Sequence, residues 1–184
     1  MERQKNTLPV LLVVLFLGTT LMTGPAALQA QSGSYLAPAH VDRSNKFSIK
    51  PPAHWWKSTR SRKYAVKLSS RNYKAFIIIN VTETEGEVKI DRDFIRFIQE
   101  KNKEIAEQVP GFKVRGNRKV EINGQDGYRT HATFRAGENK AVMKIYYVPG
   151  KSRLYMITTV CPEFTHQQWL SYFRASVNTF TIIE

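Results

Sequence analysis

Only one cysteine, Cys161, occurs in the 184 residues, so no disulfide can close within the chain. Catalytic signatures are missing too. There is no phosphate loop, no dinucleotide glycine fingerprint, no GxSxG elbow and no HExxH. The four histidines, His40, His54, His131 and His166, are scattered, and none has a second ligand at metal spacing. No cofactor is implied. Acidic residues are absent from residues 43–74, which hold ten Lys or Arg. Long apolar runs are absent everywhere except near the N-terminus.

That exception is LPVLLVVLFL at residues 8–17. Glu2, Arg3 and Lys5 precede it, and small residues around Ala27 and Ala30 follow. A charged start, a short apolar centre and small residues at the cut describe a secretory signal peptide over residues 1–30. The strictly apolar part is about half a bilayer span, which argues against a transmembrane anchor. An uncleaved tether is the alternative reading. The mature chain of about 150 residues is one domain's worth, and can bury about two-thirds of its unfolded surface without a staple. No lipid-attachment cysteine follows the signal. The expected location is extracytoplasmic, periplasmic or secreted.

The net charge is +13, from 28 Lys and Arg against 15 Asp and Glu. The excess concentrates in residues 43–74, and beyond Lys74 the two signs nearly balance. Such a patch attracts anionic partners. Export disfavours nucleic acid and leaves an anionic protein or envelope component, with a membrane surface as an alternative. A solvated basic face that aids solubility is the plain counter-reading. Within the patch, Trp55 and Trp56 are neighbours and cannot both point inward from an extended chain. One belongs in the core. The other lies among bases, where it would stack on a ligand or cover a sheet edge. The candidate partner-binding set is Trp56, Lys57, Arg60, Arg62, Lys63, Lys67 and Arg71.

Two weaker constellations remain. Cys161 precedes a helix start and His166, an arrangement that can lower a thiol pKa. Yet it also ends an apolar strand, which favours a buried structural cysteine. Glu83, Glu85 and Asp91 belong to an acidic turn that offers oxygen ligands, but without the glycine and terminal glutamate of an EF-hand loop. A solvated turn is the favoured reading. A thiol or metal enzyme using Cys161, His131 or this turn is the least supported function.

Residues 31–44 are small and polar, and read as a flexible arm. Short strands follow at 46–50 and 63–68, with Pro51-Pro52 ending the first. Residues 75–81, AFIIINV, suit a central strand buried on both faces. A helix is expected over 92–109, capped by Asp91 and ended by Pro110-Gly111. Its stripe of Phe94, Ile98, Ile105 and Val109 is interrupted by Asn102. Strands at 112–122, 127–134, 141–148 and 153–160 alternate with turns at Asn123-Gly124, 137–139 and Pro149-Gly150. A last helix spans 163–177, with Phe164, Trp169, Leu170, Phe173 and Val177 on its apolar side. A short strand at 179–182 closes the chain. The result is one α+β domain over 45–184, with an antiparallel sheet and helices on both faces, because the central strands lack a polar side.

Phe47-Ser48-Ile49, Pro52 and Trp55 resemble the "FSI-x-x-P-x-x-W" opening of PsbP-like domains. The stretch from Val120 through Gly124 to Gly127-Tyr128 is similar to that family's hairpin. Tyr155-Met156-Ile157-Thr158, a helix near Phe164, and then Phe173, Val177 and Phe180 resemble its ending. The likeness covers about residues 44–183. It implies an α/β/α sandwich. The family it points to includes PsbP of photosystem II, periplasmic DcrB-like proteins and a Ran-binding protein, mostly binding or assembly factors. Photosystem-specific residues are not matched, and no calcium or manganese site is carried over. The expected function is therefore an exported, non-enzymatic binding or assembly-accessory protein.

Overall fold

The computed structural model describes residues 35–58, 64–72 and 74–183. The elements in chain order are β1 (His40–Asp42), β2 (Phe47–Ile49), β3 (Trp56–Ser58), β4 (Val66–Ser69), β5 (Phe76–Glu83), α1 (Arg92–Gln108), β6 (Lys113–Ile122), β7 (Gln125–Ala136), β8 (Asn139–Pro149), β9 (Arg153–Pro162), α2 (His166–Val177) and β10 (Thr181–Ile182). A 3-10 turn, Glu163–Thr165, precedes α2. Seven strands form one sheet in the order β3-β4-β5-β9-β8-β7-β6, and β1-β2-β10 form a second. All pairings are antiparallel. The fold is mixed α+β, as the strand and helix order predicts.

The AFIIINV run becomes β5, paired with β4 on one side and β9 on the other. Phe76 through Ile79 are all buried, so both faces of this strand meet apolar neighbours. Alternate residues of β8 divide between two clusters. Tyr146 and Val148 join Ile77, Ile79, Ile157 and the α2 residues Phe173 and Val177. Met143, Ile145 and Tyr147 join Val160 and the α1 residues Phe94 and Ile98.

Local sequence explains the boundaries. The Asp91 side chain accepts from Phe94 N at 2.9 Å and opens α1. Asn123 and Gly124 both take positive φ, 49° and 77°, which a two-residue hairpin turn between β6 and β7 requires. Gly111 and Gly137 do the same at their turns.

Three expectations need correction. Asn102 does not interrupt the packed stripe of α1: it is buried, and its Nδ2 lies 3.5 Å from Thr130 Oγ1, a polar partner within the sheet. Phe164 is not on the apolar side of the last helix. It is 73% exposed, because the 3-10 turn delays α2 to His166 and changes the helical phase. The arm over 31–44 carries β1 at its far end, where Val41 sits opposite Ser48. β3 has no counterpart among the expected strands, being too short and too polar to show a period.

The two sheets are joined by aromatic packing. Phe180 is fully buried, 5.8 Å from the Phe47 ring and 5.4 Å from the Tyr155 ring. The Tyr155 hydroxyl donates to Asn45 O at 3.0 Å. Phe180→Ala should cost about 3–5 kcal/mol of unfolding free energy, measured by urea denaturation. A loss below about 1 kcal/mol would mean that this junction is not part of the cooperative core.

Candidate functional site: a basic and aromatic sheet edge

β3 is an outer strand of the large sheet. Its register with β4 sets Trp56 opposite Ser69, Lys57 opposite Leu68 and Ser58 opposite Lys67. Opposed residues share a face, and alternate residues of a strand share it too. Trp56 and Lys67 therefore occupy one face, and Lys57 the other. Trp55 and Trp56 separate as neighbours must. Trp55 is half-buried, edge-on to Trp169 at 5.8 Å and to Phe173 at 6.1 Å. Trp56 is 60% exposed.

The candidate bases are not all gathered. Lys67 places its Nζ 4.3 Å above the Phe76 ring, so its cation rests on an aromatic face next to Trp56. Lys57 Nζ lies 3.3 Å from His40 Nδ1 across the gap to β1. Burial, reinforced by Lys57 and opposed by Asp42, holds the His40 pKa below its usual value, so the neutral ring is favoured there. Arg71 is exposed in the β4–β5 turn. Ser70 Oγ and Asn72 Oδ1 hold that turn by accepting from Lys74 N, and Ser70 Oγ also accepts from Ala75 N. Arg60, Arg62 and Lys63 lie outside the described residues.

The weaker candidates resolve differently. The three acids do not converge. Glu83 is 3.6 Å from the Arg153 guanidinium, Asp91 caps α1, and Glu85 is exposed. Among the described residues, no three His, Cys, Asp or Glu side chains form a metal-sized group. Cys161 is buried, and burial pushes its thiol pKa up to about 12, with Lys144 partly opposing. A thiol held protonated is a poor nucleophile.

Sequence reasoning missed a second basic group on β6–β8. His131 and His166 stack at 6.4 Å, bringing α2 against β7. Opposite His131 on β8 sits Lys144, buried at 8% exposure. Opposite Arg129 sits Arg118. The two hairpin turns fix these pairings, so register counting from the turns would have found them. A hydrophobic pattern cannot, because the residues are polar.

Cys161 should resist alkylation at about pH 8 in the folded chain and react only after denaturation. The sign of its pH linkage follows from the raised pKa. Its contribution to stability is full below the unfolded pKa of 9.0 and is lost as pH rises toward about 12. Rapid alkylation of the folded chain would contradict the burial of the thiol.

Comparison with known proteins agrees with this architecture. No curated protein matches the chain. Among solved structures, cyanobacterial PsbP (CyanoP) from Synechocystis sp. superposes with a TM-score of 0.60 at 14% identity, covering 86% of this chain and 99% of its own. LpqN of Mycobacterium tuberculosis, involved in cell envelope biogenesis, gives 0.58 at 12% identity, over 75% of this chain and 83% of that one. The Saccharomyces cerevisiae Ran-binding protein Mog1p gives 0.54 at 9% identity, over 80% and 95%. At these identities the likeness concerns the fold. The family description of a PsbP-like protein matches residues 27–182, nearly all of the described domain, and this chain belongs to the PsbP-like protein family.

Proposed function

We propose that the chain is an exported, non-enzymatic binding or assembly-accessory protein that docks through its basic N-terminal edge on an acidic protein face of the envelope. The observation that carries this reading is Trp56, 60% exposed on an outer strand and sharing a face with Lys67. Large aromatics beside cations are the anchors of many interfaces. The working surface would comprise Trp56, Lys57, Arg60, Arg62, Lys63, Lys67 and Arg71, in a segment with ten bases and no acid. Relatives of the same fold support a partner-binding role in general terms: Mog1p is a Ran-binding protein, and LpqN is involved in envelope biogenesis. An α/β/α layering, with α1 on one face of the large sheet and α2 on the other, belongs to this reading. The division of β8 between two clusters supports it.

Residues 1–30 act in this reading as a cleaved signal. They lie outside the described residues, and among the described residues no helix is long and apolar enough to cross a membrane. A retained tether is the competing arrangement. Intact mass of the exported protein decides between them: loss of residues 1–30 is expected, and a full-length mass would establish the tether.

Docking through this edge should be steeply salt-dependent, since exposed charges are screened within about 8 Å at physiological ionic strength. Affinity capture from envelope extract with the full chain should recover a partner at low salt and lose it at high salt. The variant Trp56→Ala/Lys57→Glu/Lys67→Glu/Arg71→Glu should lose it at both. A partner retained by the variant at high salt would overturn docking through this edge.

A further inference from the structure

Lys144 is the one charged side chain among the described residues that is buried. Its ammonium nitrogen is not among the polar atoms buried without a partner, so the buried stem carries the charge up to a point that still meets water. The neighbours are cationic. Strand register sets His131 directly opposite Lys144 on β7, and Arg129 next along the same face, opposite Tyr146. Arg118 on β6 lies opposite Arg129. His166 of α2 stacks on His131, and Arg174 is two helical turns further along α2. Burial, reinforced by the positive fields of Arg129, Arg174 and Arg118 and partly opposed by Cys161, holds the Lys144 pKa below its usual value.

The group has almost no acid. Of Arg129, His131, Lys144 and His166, only His166 has a carboxylate acting on it, Glu163. Two polar atoms here, Arg129 Nε and His166 Nε2, are buried without a hydrogen-bond partner, while the Arg129 guanidinium also bonds Tyr146. Buried nitrogens without a partner in a well-packed protein point to a missing polar partner, a water or an ion. The surrounding cations exclude a metal. Arg118 and Arg174 are exposed, while Arg129, His131 and His166 are half-buried, so the group runs from solvent down to Lys144. None of these residues belongs to the basic segment at 43–74.

We propose that Lys144, Arg129, His131 and His166, with Arg118 and Arg174 at the rim, form a receptor for a phosphate- or sulfate-type oxyanion, free or carried as a monoester. A tetrahedral oxyanion presents several acceptor oxygens at once. It would pair the ammonium, accept from the guanidinium and satisfy the histidine nitrogen. Chloride offers none of this directional bonding.

The test is thermal unfolding of the full chain in inorganic phosphate, sulfate or glycerol 3-phosphate, with ionic strength matched by sodium chloride. A saturable rise in Tm above the chloride control is expected for phosphate and sulfate. A rise with glycerol 3-phosphate as well extends the ligand to monoesters, and a rise with the inorganic ions alone assigns the free anion. Lys144→Met should abolish the response. Arg118→Gln/Arg174→Gln, which changes only exposed side chains, should weaken apparent affinity roughly tenfold. It decides the matter if Lys144→Met does not fold. Equal Tm in chloride and in all three oxyanions would overturn the proposal, as would a response left intact in the rim variant.

Discussion

The pairing of β5 with β9 is the constraint on which the rest of the structure depends. Their register runs from Phe76 opposite Val160 to Glu83 opposite Arg153, and joins the first part of the domain to the last strand of the large sheet. β5 is apolar on both faces through Ile79, so it cannot serve as an edge without exposing that surface to water. Placing it centrally forces the order of everything else. β3 and β4 must lie outside it on one side, and the β9-β8-β7-β6 meander on the other. The same pairing leaves two apolar faces to be covered, and the core accordingly divides into two clusters, one with residues of α2 and one with residues of α1.

Both edges of the large sheet are then short of apolar residues and rich in bases. β3 carries Lys57, and β6 carries Lys113, Arg115, Arg118 and Lys119 on a strand that is mostly exposed. Cationic edges discourage strand addition by other chains. A bulge between Val114 and Gly116 further breaks the regularity of β6, and Arg115 Nε reaches Thr133 Oγ1 at 3.1 Å. At the β3 edge the charges stand in water, where they are cheap and act at a distance. Toward the β6 edge they continue inward beneath α2 to Lys144, where desolvation makes each one costly and its partner consequential.

This difference separates the two functional readings. The β3 edge has an exposed tryptophan and screened charges, the ingredients of a docking surface for a large acidic partner. The recessed group has two unpartnered nitrogen atoms among several cations, the ingredients of a small-anion site. Cys161 adjoins the second region, with a thiol that burial holds protonated.

The periodic elements were legible in advance. The two-faced apolar run, the Asp91 cap, the hairpin turn at Asn123-Gly124 and the amphipathic stripe of α1 are local signals, and each appears within a few residues of its expected place. So was the separation of Trp55 from Trp56, which follows from strand geometry alone. The short strands β1 and β3 were not legible, because HVD and WKS do not set two apolar residues on one face as Phe47 and Ile49 do in β2, and their stability comes from the partner strand. Phe164 was misplaced because a 3-10 turn shifts helical phase without a distinctive residue to announce it. The recessed basic group had the weakest signal of all. Arg118, Arg129, His131, Lys144, His166 and Arg174 look like ordinary surface residues in sequence. Two hairpin registers and the seating of α2 on β7 bring them together. The sequence by itself determined which segments would be strands and helices, since that depends on neighbours along the chain. Only the tertiary structure decided which charges lost their water, since that depends on neighbours across it.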